Sequence, residues 1–129
     1  MVGLVIVSHS ATLAAGVAEL LADMQPDVPV RAAGGGPDGT LGTSADTITR
    51  AIAALDNPDG VLVFVDVGSA VMSAEMALEG LSPDQRGRVT ISDAPLVEGA
   101  VLAAVNAGLG LSLAEVAAAA REAREFPKT

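Results

Sequence analysis

His9 is the only histidine in the chain. It stands between two hydroxyl residues, Ser8 and Ser10, directly after the apolar run Val2 to Val7. An imidazole is largely neutral at pH 7, and it is then nucleophilic at one nitrogen, provided that the other is held as a hydrogen-bond donor. Asp66 ends a second apolar run, Val61 to Val65, where a carboxylate is costly unless it leaves the core or finds a partner. Two readings of Asp66 stand side by side: a solvated loop acid or helix cap, and an acceptor that orients His9 and stabilises its positive form. Thr43, Ser44, Gly68 and Ser69 lie at the starts of two expected helices, and Ser10 lies at a third. Amides and hydroxyls there cap a helix and can also cradle a phosphoryl group, and the two roles are compatible.

These residues need elements to position them. Val2 to Val7 reads as a strand buried on both faces, because it is continuously apolar and short. From Ala11 to Met24 the positions Leu13, Val17, Leu20, Leu21 and Met24 follow helical spacing, with Ser10 as N-cap and Pro26 beyond the end. Val30 to Ala33 is a short strand candidate, followed by the glycine-rich stretch Gly34 to Gly39. Thr43 or Ser44 caps a helix carrying Ile48, Ala51, Ile52 and Leu55, stopped by Asp56 to Gly60. Val61 to Val65 repeats the first strand. Gly68 and Ser69 open a helix whose apolar positions include Met72, Met76 and Leu78. Pro83 to Gly87 is expected as a turn into a strand at Val89 to Ser92, ended by Asp93-Ala94-Pro95. Helices at Val97 to Ala107 and Leu113 to Arg124 follow, the second opened by a capping box from Ser112 to Glu115.

Four strands separated by helices imply an α/β, doubly wound fold: a four-stranded parallel sheet flanked by about five helices. In such sheets ligands collect outside the carboxyl ends of the strands. His9, Gly34 to Ser44, Asp66 to Ser69 and Asp93 all map to that edge. The length of 129 residues suits one domain, residues 1-129.

Composition excludes several functions. A formal charge of -9 with seven basic residues argues against nucleic acid. No apolar run approaches the roughly 20 residues that cross a bilayer, and no basic stretch precedes the first apolar run, so the expectation is a cytoplasmic chain with no membrane partner. There is no cysteine, hence no disulfide and no thiolate nucleophile. One histidine with carboxylates alone is a poor metal set, and the expected metal is none. The Gly34 to Gly39 loop lacks the Gly-Lys-Ser/Thr ending of a phosphate loop, and the only lysine is Lys128, so it reads as a connection and the chain is not expected to bind ATP. Ser69 lacks the second glycine of a nucleophile elbow, which argues against a serine hydrolase.

Four stretches together carry a resemblance. They are Gly3-Leu4-Val5-Ile6-Val7-Ser8-His9-Ser10, Gly39-Thr40-Leu41-Gly42-Thr43-Ser44, Val65-Asp66-Val67-Gly68-Ser69-Ala70, and Ala94-Pro95-Leu96-Val97-Glu98-Gly99-Ala100. In this order they resemble the phosphotransferase subunit of phosphoenolpyruvate-dependent dihydroxyacetone kinase, which has the mannose-family enzyme IIA fold. The resemblance spans Gly3 to about Val105. It implies that His9 takes a phosphoryl group on Nε2 from phospho-HPr, while Asp66 bonds the other ring nitrogen. Ser10, Thr43, Gly68 and Ser69 would hold the phosphoryl oxygens. It further implies that the group passes to ADP on a separate nucleotide-binding subunit, so that the cofactor ADP/ATP belongs to the partner and none to this chain, and that such chains form homodimers. A mannose-type sugar-permease IIA component shares the fold and the histidine but passes its phosphoryl to an enzyme IIB. The stretch Val67-Gly68-Ser69-Ala70 favours the dihydroxyacetone branch, because the sugar branch usually has a bulkier, Gly-Gly-Ser-Pro-like sequence there. A reading from another class is a non-catalytic α/β interaction module in which His9 is only a cap.

Overall fold

The computed structural model describes residues 1–129. Its elements run β1 (Gly3–Ser8), α1 (Ala11–Met24), β2 (Val30–Gly34), α2 (Ala45–Leu55), β3 (Val61–Val65), α3 (Gly68–Glu79), α4 (Pro83–Arg86), β4 (Val89–Ile91), α5 (Leu96–Gly108) and α6 (Leu113–Arg121), with a closing 3-10 turn at Glu122–Glu125. The strands form one parallel sheet in the order β2-β1-β3-β4. Strand order reverses between β1 and β3: the chain leaves β1 toward β2, then crosses back over β1 to place β3 on its other side. The carboxyl ends of β1 and β3 therefore flank the crevice where helix starts diverge to opposite faces.

The sheet is covered on both sides, as an all-parallel sheet requires. Leu4, Ile6, Leu62 and Phe64 face α1, α5 and α6, while Val5, Val7, Val63 and Val65 face α2 and α3. Alternate residues of one strand thus enter separate cores, which explains why the β1 and β3 sequences are continuously apolar. Removing Leu4 or Phe64 from water contributes about 1.5–3 kcal/mol each, so these central strands form a stiff floor under their own carboxyl ends.

Three expectations are corrected. The buried face of α3 is Ala70, Ala74 and Ala77, and Met72 and Met76 are exposed. Small side chains let this helix lie close to the sheet, so the large ones are turned outward. In α1 the expected Val17 and Leu21 are buried together with Ala14, but Leu13, Leu20 and Met24 are exposed. Pro83–Arg86 is a helical turn rather than a plain turn, because Ser82 and Gln85 form a capping box and Pro83 occupies the first turn. With this turn counted, six helices flank the sheet, in keeping with the expectation of about five.

At the end of β2 the backbone itself must be narrow. A Cβ on Gly34 would lie 2.7 Å from the Ser10 carbonyl oxygen and 2.8 Å from both Ala11 Cα and Ala14 Cβ. This close approach fixes the start of α1, and with it His9, against the neighbouring strand.

Candidate functional site

β1 delivers His9 and β3 delivers Asp66 to the same point of the carboxyl edge, although 57 residues separate them in the chain. The parallel register pairs Val7 with Val65, so the residues that follow are neighbours before any side-chain contact is considered. The Asp66 carboxylate then gathers four donors. The His9 amide lies 2.9 Å from Oδ2, the Ser8 hydroxyl 3.0 Å from Oδ2, and the Val67 amide 2.7 Å from Oδ1. His9 Nδ1 lies 3.1 Å from Oδ1 and 3.3 Å from Oδ2. Burial works to raise the Asp66 pKa, but the His9 and Val67 amides, with the His9 ring and the Ser8 hydroxyl, outweigh it and hold the carboxyl below its ordinary value.

An ionised carboxylate only accepts, so Nδ1 carries the ring hydrogen and Nε2 of the neutral ring carries a lone pair. The Ser69 hydroxyl lies 2.7 Å from Nε2 and donates to that lone pair. The Asp66 side chain is 14% exposed and the His9 side chain 31%. The acid is thus inside and the ring partly open, with its nucleophilic nitrogen on the side of an exposed serine.

Helix starts converge here with different degrees of satisfaction. Ser10 caps α1 by accepting from the Leu13 amide, and Ser44 caps α2 by accepting from the Thr47 amide. α3 has Val67 at its N-cap and no side-chain cap. The exposed amides of Gly68 and Ser69 donate to nothing within the chain, so two N–H groups and the positive end of a helix dipole remain available beside His9. No Lys or Arg side chain hydrogen-bonds to His9, Asp66 or Ser69, and no group of three or more His, Asp or Glu side chains is arranged to hold a metal ion.

Of the residues selected from sequence, His9, Asp66 and Ser69 are in direct contact. Gly68 adjoins them. Ser10 is engaged as a cap, and its own amide donates to Ser8 Oγ. Thr43 does not cap α2 and makes no hydrogen bond to the ring; its hydroxyl bonds Ser73 on α3. The glycine-rich connection is tied to the site through its backbone, because the Gly35 amide donates to the Ser8 carbonyl and the Gly42 amide to the His9 carbonyl. Two contributors were not singled out. Ser8 is wholly buried, and its position at the end of a two-faced strand was the available signal. Ser73 follows Ser69 by four residues, which places both on one helix face. Exposed Leu41, Val67, Met72 and Met76 add an apolar border: Leu41 precedes Gly42, Val67 follows Asp66, and Met72 stands one turn beyond Ser69.

The family described as PTS system fructose IIA component matches residues 3–117. The chain belongs to this family. Among curated relatives of this IIA chain, the Listeria innocua phosphoryl donor subunit DhaM of PEP-dependent dihydroxyacetone kinase 2 is 45% identical over 82% of this chain and 86% of its own length. The corresponding Escherichia coli DhaM subunit is 42% identical over 90% of this chain, which spans 25% of that longer protein. The crystal structure of unknown function protein EF1359 superposes with a TM-score of 0.84 at 36% identity, covering 94% of both chains. No helix of this IIA chain is long and apolar enough to cross a membrane.

Proposed function

We propose that this chain is the phosphoryl donor subunit of a phosphoenolpyruvate-dependent dihydroxyacetone kinase: His9 accepts a phosphoryl group from phospho-HPr and passes it to ADP held by the nucleotide-binding subunit. The observation that carries this reading is the pinned ring of His9, with Nδ1 on Asp66 and Nε2 facing outward under Ser69. The family match and the relatives named as phosphoryl donor subunits support this reading.

In the transfer, the Nε2 lone pair attacks phosphorus in line, and the phosphorus–nitrogen bond of the donor breaks with its electrons remaining on the donor imidazole. The Nδ1 hydrogen stays on His9 and continues to bond Asp66, which stabilises the phospho-imidazole. The Ser69 hydroxyl, released from Nε2 when the lone pair is consumed, turns to a phosphoryl oxygen, with the Gly68 and Ser69 amides beside it. No side-chain cation clamps the group, which suits a relay, since tight binding of the phosphorylated state slows the onward step. The apolar border of Leu41, Val67 and Met72 gives the carrier protein a surface to cover during transfer. Exposed Val97 and Val105 on α5, with Leu109 just past its end, offer a second apolar surface, suited to a second copy of the chain.

The test is intact mass after incubation with phosphoenolpyruvate, enzyme I and catalytic HPr, for the native chain and His9→Ala. The expected result is one acid-labile phosphoryl group on the native chain alone, cleared by the ADP-loaded kinase subunit. No gain with a competent HPr overturns the relay, and clearance only by a sugar-permease enzyme IIB would move the chain to that branch.

A further inference from the structure

We propose that Ser73 is a positioning residue for phosphoryl transfer, acting through its hydroxyl bond to Thr43; this rests on the relay reading of His9. Ser73 lies one turn beyond Ser69 on α3, about 6 Å along the helix, and its hydroxyl bonds that of Thr43 across the α2–α3 seam. Thr43 is held from the other side as well, because it directly follows Gly42, whose amide donates to the His9 carbonyl at 2.9 Å. The threonine is therefore suspended between the backbone of the nucleophile and the helix that carries Ser69.

Hydroxyl accounting shows what the pair delivers. Two hydroxyls carry two hydrogens, and the bond between them uses one. A serine inside a helix ordinarily donates to the carbonyl four residues back. Ser73 does not bond Ser69 in this way, and Thr43 is its only side-chain partner. With Ser73 donating, the Thr43 hydroxyl keeps its own hydrogen for an external acceptor, and accepting from Ser73 polarises it into a stronger donor. A phosphoryl group on Nε2 presents three oxygens; the Ser69 hydroxyl, the free α3 amides and the Thr43 hydroxyl are donors for them. The pair gives hydrogen bonds only, so no proton is transferred and the atom balance of the step is unchanged.

A plain structural strut explains the pair less well, because that strut already exists. Thr49 on α2 bonds the Ala45 carbonyl at 2.9 Å and reaches across the same seam to the Ala77 carbonyl at 3.0 Å. The Thr43–Ser73 bond is the seam's second polar tie, placed at the end nearest His9.

The experiment compares single-turnover transfer from phospho-HPr to the full chain and to Ser73→Ala, Thr43→Val, the double variant and Ser73→Thr. The expected result is a fall in maximal rate of about tenfold in each single variant, with KM for the carrier within about twofold of native. The double variant falls no further than Thr43→Val, since Ser73 acts only through the Thr43 hydroxyl, and Ser73→Thr restores most of the rate. Melting temperatures of the variants stay close to native. Native transfer by Ser73→Ala, or single losses that multiply in the double variant, overturns the proposal alone. A native chain that takes no phosphoryl at all overturns the relay reading and this proposal with it.

Discussion

Two of the chain's partnered aspartates stand at opposite edges of one sheet. At the amino edge, Asp56 takes two bonds from Arg88, 3.1 Å from Nε and 2.9 Å from Nη2. At the carboxyl edge, Asp66 takes Nδ1 of His9 together with two amides and a hydroxyl. Both carboxyls are held below their ordinary range: Asp56 first by the Arg88 hydrogen bonds, and Asp66 by bonds that overcome the opposing effect of burial. A recess of about 490 Å³ lies at the Asp56 edge, lined by Asp56, Asn57, Pro58 and Arg88. Yet Arg88 is a permanent cation with no lone pair to offer, and its fork is spent on the acid. His9 spends one nitrogen on its acid and keeps a lone pair on the other. The size of a hollow is therefore a poor guide here; the informative feature is a partner with an unspent atom.

Asp66→Asn tests this difference most severely. The amide keeps the shape but not the charge, and it can present a donor to Nδ1, which favours the tautomer that blocks Nε2. The expected loss in transfer is on the order of a hundredfold, read as kcat/KM with phospho-HPr. Stability carries a second signature. A carboxyl whose folded pKa lies below its unfolded value, about 3.9, contributes stability that is present above that value and is lost as pH falls through the lower folded pKa. The stability difference between native and Asp66→Asn should therefore be constant near neutrality and shrink below about pH 4. A difference independent of pH down to full acid unfolding would mean that Asp66 is not held as the structure shows.

Two glycines sharpen the comparison at an intermediate level. A Cβ on Gly34 would strike the start of α1, and one on Gly60 would lie 2.8 Å from the Arg88 carbonyl oxygen, at a φ of +93° that side chains rarely adopt. Gly34→Ala and Gly60→Ala should each lower stability by about 1–3 kcal/mol in denaturant titrations. Only Gly34→Ala should also slow transfer, because the atoms it displaces belong to Ser10 and Ala11, next to His9. Equal slowing by Gly60→Ala would show that the site senses general loosening rather than its own supports.

Much of this arrangement is legible in the sequence. Strand ends and helix caps are local features, so the apolar runs ending at Val7 and Val65 mark the edge where His9 and Asp66 meet, and Thr43 or Ser44 marks the start of α2. The orientation of α3 was not legible. Large apolar side chains draw the eye to Met72 and Met76, whereas a helix seated close on a sheet buries its alanines, here Ala70, Ala74 and Ala77. That rotation turns Ser69 to His9 and Ser73 to Thr43. A serine at either position reads as ordinary surface until the α2–α3 packing is known. Ser8 was hidden for a related reason: its hydroxyl is satisfied only by a carboxylate 58 residues away and by the Ser10 amide.

The smallest effect should come from Arg88→Met. It removes the permanent cation and leaves the apolar part of the side chain, so Asp56 should return toward the ordinary carboxylate range and the acid-sensitive part of its contribution should disappear. Asp56 and Arg88 both reach solvent, which screens the pair and keeps the expected change in melting temperature slight. Transfer from phospho-HPr should equal that of the native chain, because no bond from this pair reaches β1 or the start of α3. A slowing that approaches that of Asp66→Asn would require β3 and β4 to pass strain from one edge to the other. The two aspartates would then be parts of one coupled device, and the contrast between a spent and an unspent partner would no longer separate them.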